Sequence, residues 1–225
     1  MTKTTPAYGF YGRLSADFPS QIIMDTTEVC NLACIHCPHP EFKKSPHYAG
    51  RTLGAELNAK MVEEVRDHGK GITQYIRYTG EGEPFIHPGI FPILDYTVRE
   101  SGVPVTLTTN GTLLTDARIE KLLETKLHLV DISIDALSSE AYATIRVNGD
   151  LEVTRGNVQR LIQRARATGS KTRIVVSFVE QPQNTSEAEG FEAFWKNEGA
   201  DYVVIRRLHS GAGAVTPIAV GLLKD

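Results

Sequence analysis

The chain has 225 residues, 41% hydrophobic and 23% charged, with a formal net charge of -3. That is enough for one sizeable core, and it provides no basic field to draw the protein onto nucleic acid or anionic membrane. No apolar run approaches the roughly 20 residues of a membrane span, and the amino-terminal MTKTTPAYGFYGRLSADFP has no stretch like a secretory signal, so a cytoplasmic protein with no nucleic-acid or membrane partner is expected.

In chain order, short β-branched and aromatic runs predict six strands, at 22–27, 72–78, 103–109, 129–134, 173–179 and 202–206. Amphipathic stretches lie between them. Leu57, Met61, Val62 and Val65 share one helical face, as do Ile119, Leu122 and Leu123, then Val158, Leu161 and Ile162, while Phe191, Phe194 and Trp195 cluster on another. Repeated βα units form either an open doubly wound sheet or a curled barrel. The residues just past the strands separate the two. Cys30, Cys34 and Cys37 follow the first strand, GEGEP (80–84) the second, and Asn110 with Gly111 the third; Asp135 follows the fourth, Glu180 lies near the fifth, and Arg206 with Arg207 follows the sixth. Polar chemistry at all six carboxyl ends suits a barrel, which gathers those ends around one mouth. Six units are too few to close eight strands, so the expected architecture is an α/β incomplete (βα)6 TIM-like barrel. In LVDISIDAL, alternation places Asp131, Ser133 and Asp135 on one face, which implies a polar barrel interior.

All three cysteines fall within CNLACIHC, which is not the spread, even-numbered pattern of a disulfide framework, so reduced thiols are expected. Three soft ligands on one loop suit zinc or an iron-sulfur cluster. A structural zinc site takes a second ligand pair further along the chain, and none exists here, although His36, His39 or His47 would complete a closed Cys3His site. Three thiols packed as small hydrophobes fit poorly with the neighbouring Pro38, His39 and Pro40. Spacings of three and two residues let a single loop hold three corners of a cubane, leaving the fourth iron open to a substrate or cofactor.

CNLACIHC resembles the CxxxCxxC motif of the radical S-adenosylmethionine superfamily, and the chain as a whole resembles the core domain of its SPASM-type members. The resemblance implies a 4Fe-4S cluster on Cys30, Cys34 and Cys37, with His36 at the commonly aromatic position. It also implies S-adenosyl-L-methionine on the open iron, and an electron donor such as flavodoxin or ferredoxin. Reductive cleavage of the cofactor to a 5'-deoxyadenosyl radical, which abstracts hydrogen from substrate, is the implied activity. GEGEP is similar to the family's GGEP motif, with Glu81 in place of the first glycine, and implies that Gly82 and Glu83 hold the methionine amino group. TTNG (108–111) implies Asn110 at the ribose, and the fourth strand and the segment after it imply Ser133 and Arg146 at the methionine carboxylate. IVVSFVE (174–180) only partly resembles GxIxGxxE, since Ser177 replaces a glycine.

The resemblance divides the chain into an N-terminal extension (1–20), the radical SAM core domain (21–207), and a tail (208–225) that reads as the start of an auxiliary-cluster domain or as the end of a minimal form. Arg206, Arg207 and His209 near the mouth point toward an anionic group, and hence toward a carbohydrate or other small polar metabolite as substrate. The alternatives are a peptide-modifying maturase of the same superfamily, or a non-catalytic zinc-binding module.

Overall fold

Period-two alternation sorts the second and third strands into a face that helices cover and a face that they do not. In the second strand Ile76 and Tyr78 are buried while Tyr75 and Arg77 are half-buried; in the third, Val105, Leu107 and Thr109 alternate with Thr106 and Thr108 in the same way. The computed structural model describes residues 14–208. Residues 1–13 of the expected N-terminal extension, His209 and the rest of the tail lie outside them. The elements run β1 (Gln21–Met24), α1 (His39–Phe42), α2 (Ala55–His68), β2 (Tyr75–Tyr78), α3 (Ile90–Glu100), β3 (Val105–Thr109), α4 (Asp116–Glu124), β4 (Leu129–Ser133), α5 (Ser139–Ile145), α6 (Leu151–Ala167), β5 (Arg173–Glu180), α7 (Ala188–Asn197) and β6 (Tyr202–Arg207).

The six strands form one sheet in the order β1-β2-β3-β4-β5-β6, and all five pairings are parallel. A doubly wound sheet reverses direction in the middle of its order, whereas sequential order winds one way, as a barrel does. Among the described residues β1 and β6 each pair with a single neighbour, and the fold is the expected α/β incomplete (βα)6 barrel. Ile76, Leu107, Val130, Ile132, Ile174, Val176 and Phe178 from the strands pack on Val65, Leu94, Ile119, Leu122, Val158, Leu161, Phe191 and Trp195 from the helices. Each such side chain contributes about 1.5–3 kcal/mol of hydrophobic stabilisation. Among the described residues, no helix is long and apolar enough to cross a membrane.

Strand boundaries differ from the sequence expectation for local reasons. β1 stops at Met24, and Thr27 instead forms an isolated antiparallel bridge to Thr52. β2 begins at Tyr75 because Gly71 turns the chain with φ 80, and Thr73 donates its hydroxyl to the Pro19 carbonyl rather than joining the ladder. β3 begins after Pro104, which has no N–H to donate.

The face assigned to α2 is also corrected. Leu57 is 59% exposed, and its neighbour Asn58 points into the core instead. There the Tyr78 hydroxyl donates to Asn58 Oδ1 at 2.5 Å, and Asn58 Nδ2 donates to Thr97 Oγ1 at 3.2 Å. Tyr78→Phe leaves the buried amide oxygen without that donor, so a loss of about 1–3 kcal/mol is expected in urea unfolding. Leu57→Ala, on the solvent side, should change the same curve by no more than about 0.5 kcal/mol.

Candidate active site

The loop from β1 to α1 carries the thiols across the barrel mouth. It is pinned from the far side of the barrel: Ala33 N–H donates to the Val147 carbonyl and Ile35 N–H to the Ile145 carbonyl, both at 3.0 Å, while Leu32 is buried beneath. A cavity of about 330 Å³ opens there. Cys30, Cys34 and Cys37 line it, together with His36, Gly82, Glu83, Asn110, Ser133 and Arg146. Every residue that the resemblance assigns to the cluster or to the cofactor therefore lines one cavity, at the carboxyl ends of the strands.

Burial raises the Cys30 thiol above its ordinary value and pushes Cys37 up to about 12. In these surroundings a soft metal ion must displace a proton from Cys37 to be bound. His39, considered as a zinc ligand, is buried with Nε2 on the Glu28 carbonyl at 2.9 Å, and His47 is exposed. Among the described residues, no three His, Cys, Asp or Glu side chains come together as a site for one ion. A closed tetrahedral zinc site needs such convergence, whereas three corners of a cluster do not.

Arg146, at the end of α5, is buried, and burial alone would lower its pKa. The Asp135 carboxylate beside it lifts the pKa above the ordinary arginine value, so the guanidinium stays charged. Its Nη2 lies 2.6 Å from Asp135 Oδ2, an off-axis charge contact, and its Nη1 donates to Cys34 Sγ at 3.5 Å. Asp135 follows β4 with φ 67, a left-handed turn that aspartate tolerates better than most residues. The turn puts its carboxylate under the cysteine loop, where Oδ1 accepts the Val179 N–H at 2.7 Å and Oδ2 lies 3.5 Å from His36 Nε2. The sequence marked Asp135 as a strand-end residue without giving it a role; it is the counter-charge that holds Arg146 against the cavity.

Glu83 is 2% exposed and fully engaged by protein donors. Oε1 accepts from the Thr109 hydroxyl at 2.7 Å and the Phe85 N–H at 3.1 Å, and Oε2 accepts from the Asn110 N–H at 2.8 Å. Burial nevertheless raises its pKa, which those bonds only partly offset. The carboxylate thus braces the end of β2 to the end of β3. Asn110 is similarly held: its Nδ2 donates to Asn31 and its Oδ1 accepts from Thr112. Ser133 lines the cavity from β4. Glu81, which replaces the glycine of the motif, also lines it and has a buried Oε2 with no hydrogen-bond partner.

Gly82 is where a side chain cannot be added. A Cβ there would meet the Thr27 carbonyl oxygen at 2.0 Å, and the adjoining Glu83 N–H is fixed to the Val29 carbonyl at 2.9 Å. Gly82→Ala therefore has to push the GEGEP loop away from the cysteine loop. At least a tenfold loss of S-adenosylmethionine binding in equilibrium dialysis is expected, and unchanged binding would refute this packing argument.

The other strand-end expectations are corrected. Arg206 and Arg207 lie within β6 rather than after it, and Arg206 Nη2 donates to the buried Asp131 carboxylate at 2.8 Å. Ser177 in β5 is 1% exposed and donates its hydroxyl to the same carboxylate.

The described geometry is an incomplete (βα)6 barrel with three soft thiols and a buried guanidinium at its mouth, and the family comparison agrees with it. The Radical SAM superfamily model matches residues 24–187, and the chain belongs to that superfamily of enzymes, which are built on a 4Fe-4S cluster and S-adenosylmethionine. Among curated relatives, the mycofactocin maturase MftC of Mycobacterium tuberculosis (strain ATCC 25618 / H37Rv) is 26% identical over 197 residues, which is 88% of this chain and 47% of that protein. A probable GTP 3',8-cyclase of Methanococcus maripaludis (strain C5) is 31% identical over 153 residues, 68% of this chain and 47% of its own. The chain spans about half the length of these relatives. In fold it resembles Streptococcus suis SuiB bound to S-adenosylmethionine, with a TM-score of 0.72 at 16% identity, covering 88% of this chain and 43% of SuiB.

Proposed function

We propose that this chain is the radical-generating core of an enzyme that modifies a peptide. The observation that carries the reading is the single cavity lined by three thiols from one loop, Arg146, and a glutamate oxygen that has no partner. That donor set fits the cofactors: Cys30, Cys34 and Cys37 would hold the cluster, Ser133 and Arg146 lie on the wall suited to a carboxylate, and Glu81 offers its unpaired oxygen to an ammonium group. When bound, the cluster and S-adenosylmethionine supply a 5'-deoxyadenosyl radical that takes hydrogen from substrate. The protein's own part is to orient and to exclude water. Glu83 locks two strand ends together, Asp135 holds Arg146, and the pinned cysteine loop caps the mouth. A one-electron donor such as flavodoxin or ferredoxin completes the system.

A peptide is favoured over a carbohydrate for two reasons. MftC, matched over 88% of this chain, is named as a maturase. The arginine that had suggested a sugar anion at the mouth, Arg206, lines a separate cavity and not the one that holds the thiols. After anaerobic reconstitution, about four irons per chain are expected, and dithionite with S-adenosylmethionine should release 5'-deoxyadenosine. Peptides should raise that yield and sugar phosphates should not. A folded, iron-loaded chain that releases no 5'-deoxyadenosine overturns the radical chemistry, and stimulation by sugar phosphates alone overturns the peptide.

A further inference from the structure

Below the cluster cavity, toward the amino-terminal ends of the strands, the barrel bore opens into a second cavity of about 580 Å³ that shares no lining residue with the first. Its walls are largely apolar, with Leu129, Val175, Tyr75 and Tyr202 among them, and Tyr202 is 53% exposed. At its inner end stands Asp131 of β4, 3% exposed. Arg77 from β2 and Arg206 from β6 both donate Nη2 to Asp131 Oδ2, at 2.9 and 2.8 Å. Arg77 is further fixed by Thr108 Oγ1, 2.8 Å from its Nη2.

Two guanidiniums facing one carboxylate leave a formal charge of +1 at the end of an apolar bore. Both arginine side chains remain about one-third exposed, at 31% and 38%, so a ligand in the cavity can reach them. A guanidinium presents five donors in a planar fork, and Asp131 engages one amino group of Arg206. A single positive charge with planar donors matches a monoanionic, planar acceptor better than a phosphate dianion. The volume falls in the range of small-ligand pockets, about 300–1,000 Å³, and such pockets combine apolar walls with a few convergent polar groups.

We infer that this lower bore binds a carboxylate borne on an apolar body, with the carboxylate on Arg206 and Arg77 and the body against Tyr202, Val175 and Leu129. Two sources supply that chemistry: a free apolar acid, or the carboxyl-terminal residue of a peptide. The site does not depend on the radical reading, because its residues lie outside the cluster cavity.

Binding is measured by calorimetry on the anaerobically reconstituted full chain, with 4-phenylbutyrate, 4-phenylbutanamide, N-acetyl-Leu-Phe and its carboxyl-terminal amide. Each acid is expected to bind at least tenfold more tightly than its amide, and Arg206→Gln should remove at least tenfold of that affinity, with Arg206→Lys intermediate. Iron content and melting temperature serve as controls for folding. Tighter binding of the peptide acid assigns the site to a chain end, and tighter binding of phenylbutyrate assigns it to a free acid. Equal binding of acid and amide to the unmodified chain overturns the inference whatever the variants do, as does phenyl phosphate outcompeting both acids.

Discussion

Replacing Cys34 by alanine is expected to leave a folded protein that no longer holds its iron. The thiol lies on a loop over the barrel mouth, while the core is made by strand and helix residues elsewhere. Truncating one small buried side chain there should cost about 1 kcal/mol, or about 2–4 °C in melting temperature for a chain of this size. The effect on the metal is of another order. Losing an outer-shell partner of a metal typically costs about 10–100-fold in affinity, and losing one of three direct ligands must exceed that. Iron per chain should therefore fall from about four to below about one after the same reconstitution. The zinc-module reading predicts the reverse pattern, because there metal binding is itself folding free energy and Cys34→Ala unfolds the chain. Metal analysis beside a thermal melt of the same samples distinguishes them: zinc without iron in the unmodified chain, together with a large drop in melting temperature in Cys34→Ala, would sink the cluster assignment.

Much of the scaffold behind that loop was legible because it is local. A parallel strand covered by helices reads as a run such as IVVSFVE, and β5 occupies Arg173–Glu180, one residue longer than expected. The strand ends were legible for the same reason, since whatever follows a barrel strand arrives at one mouth. Three things were not. α1 and α5 span four and seven residues, too short for a helical period to show, and α3, with Pro88 before it and Pro92 in its first turn, was not assigned from the sequence. Leu57 and Asn58 exchange faces because a buried tyrosine hydroxyl needs the amide more than the core needs one more leucine. The third is the group of Arg77, Asp131 and Arg206, drawn from β2, β4 and β6, whose members are far apart in sequence and meet only once the sheet curls. Alternation placed Asp131 on an interior face, but nothing local identifies which cations reach it.

Asp135→Asn should be the most destabilising single change at the site. Asparagine keeps the size and tolerates the left-handed turn at φ 67, so backbone strain contributes little. What disappears is the counter-charge 2.6 Å from Arg146, a guanidinium 7% exposed that cannot lose its proton. Leaving a buried charge unpaired costs about 3–5 kcal/mol, which corresponds to about 6–20 °C at about 2–4 °C per kcal/mol. If the loss arises from the stranded charge, removing both partners must recover most of it, so Asp135→Asn combined with Arg146→Met should be more stable than Asp135→Asn alone. Urea unfolding of the metal-free, reduced chain measures this without any contribution from a cluster. Equal stability of Asp135→Asn and the unmodified chain would show that other groups, Cys34 first among them, satisfy Arg146. In the expected case the same pair also bears on the chemistry at the mouth: Arg146 contacts both Asp135 and Cys34 Sγ, so with Cys34 as the proposed cluster ligand the carboxylate would act on it through the arginine. Reconstituted Asp135→Asn, if it retains iron, should accordingly show a shifted cluster reduction potential, because a hydrogen bond to a ligand sulfur is one of the levers that set it.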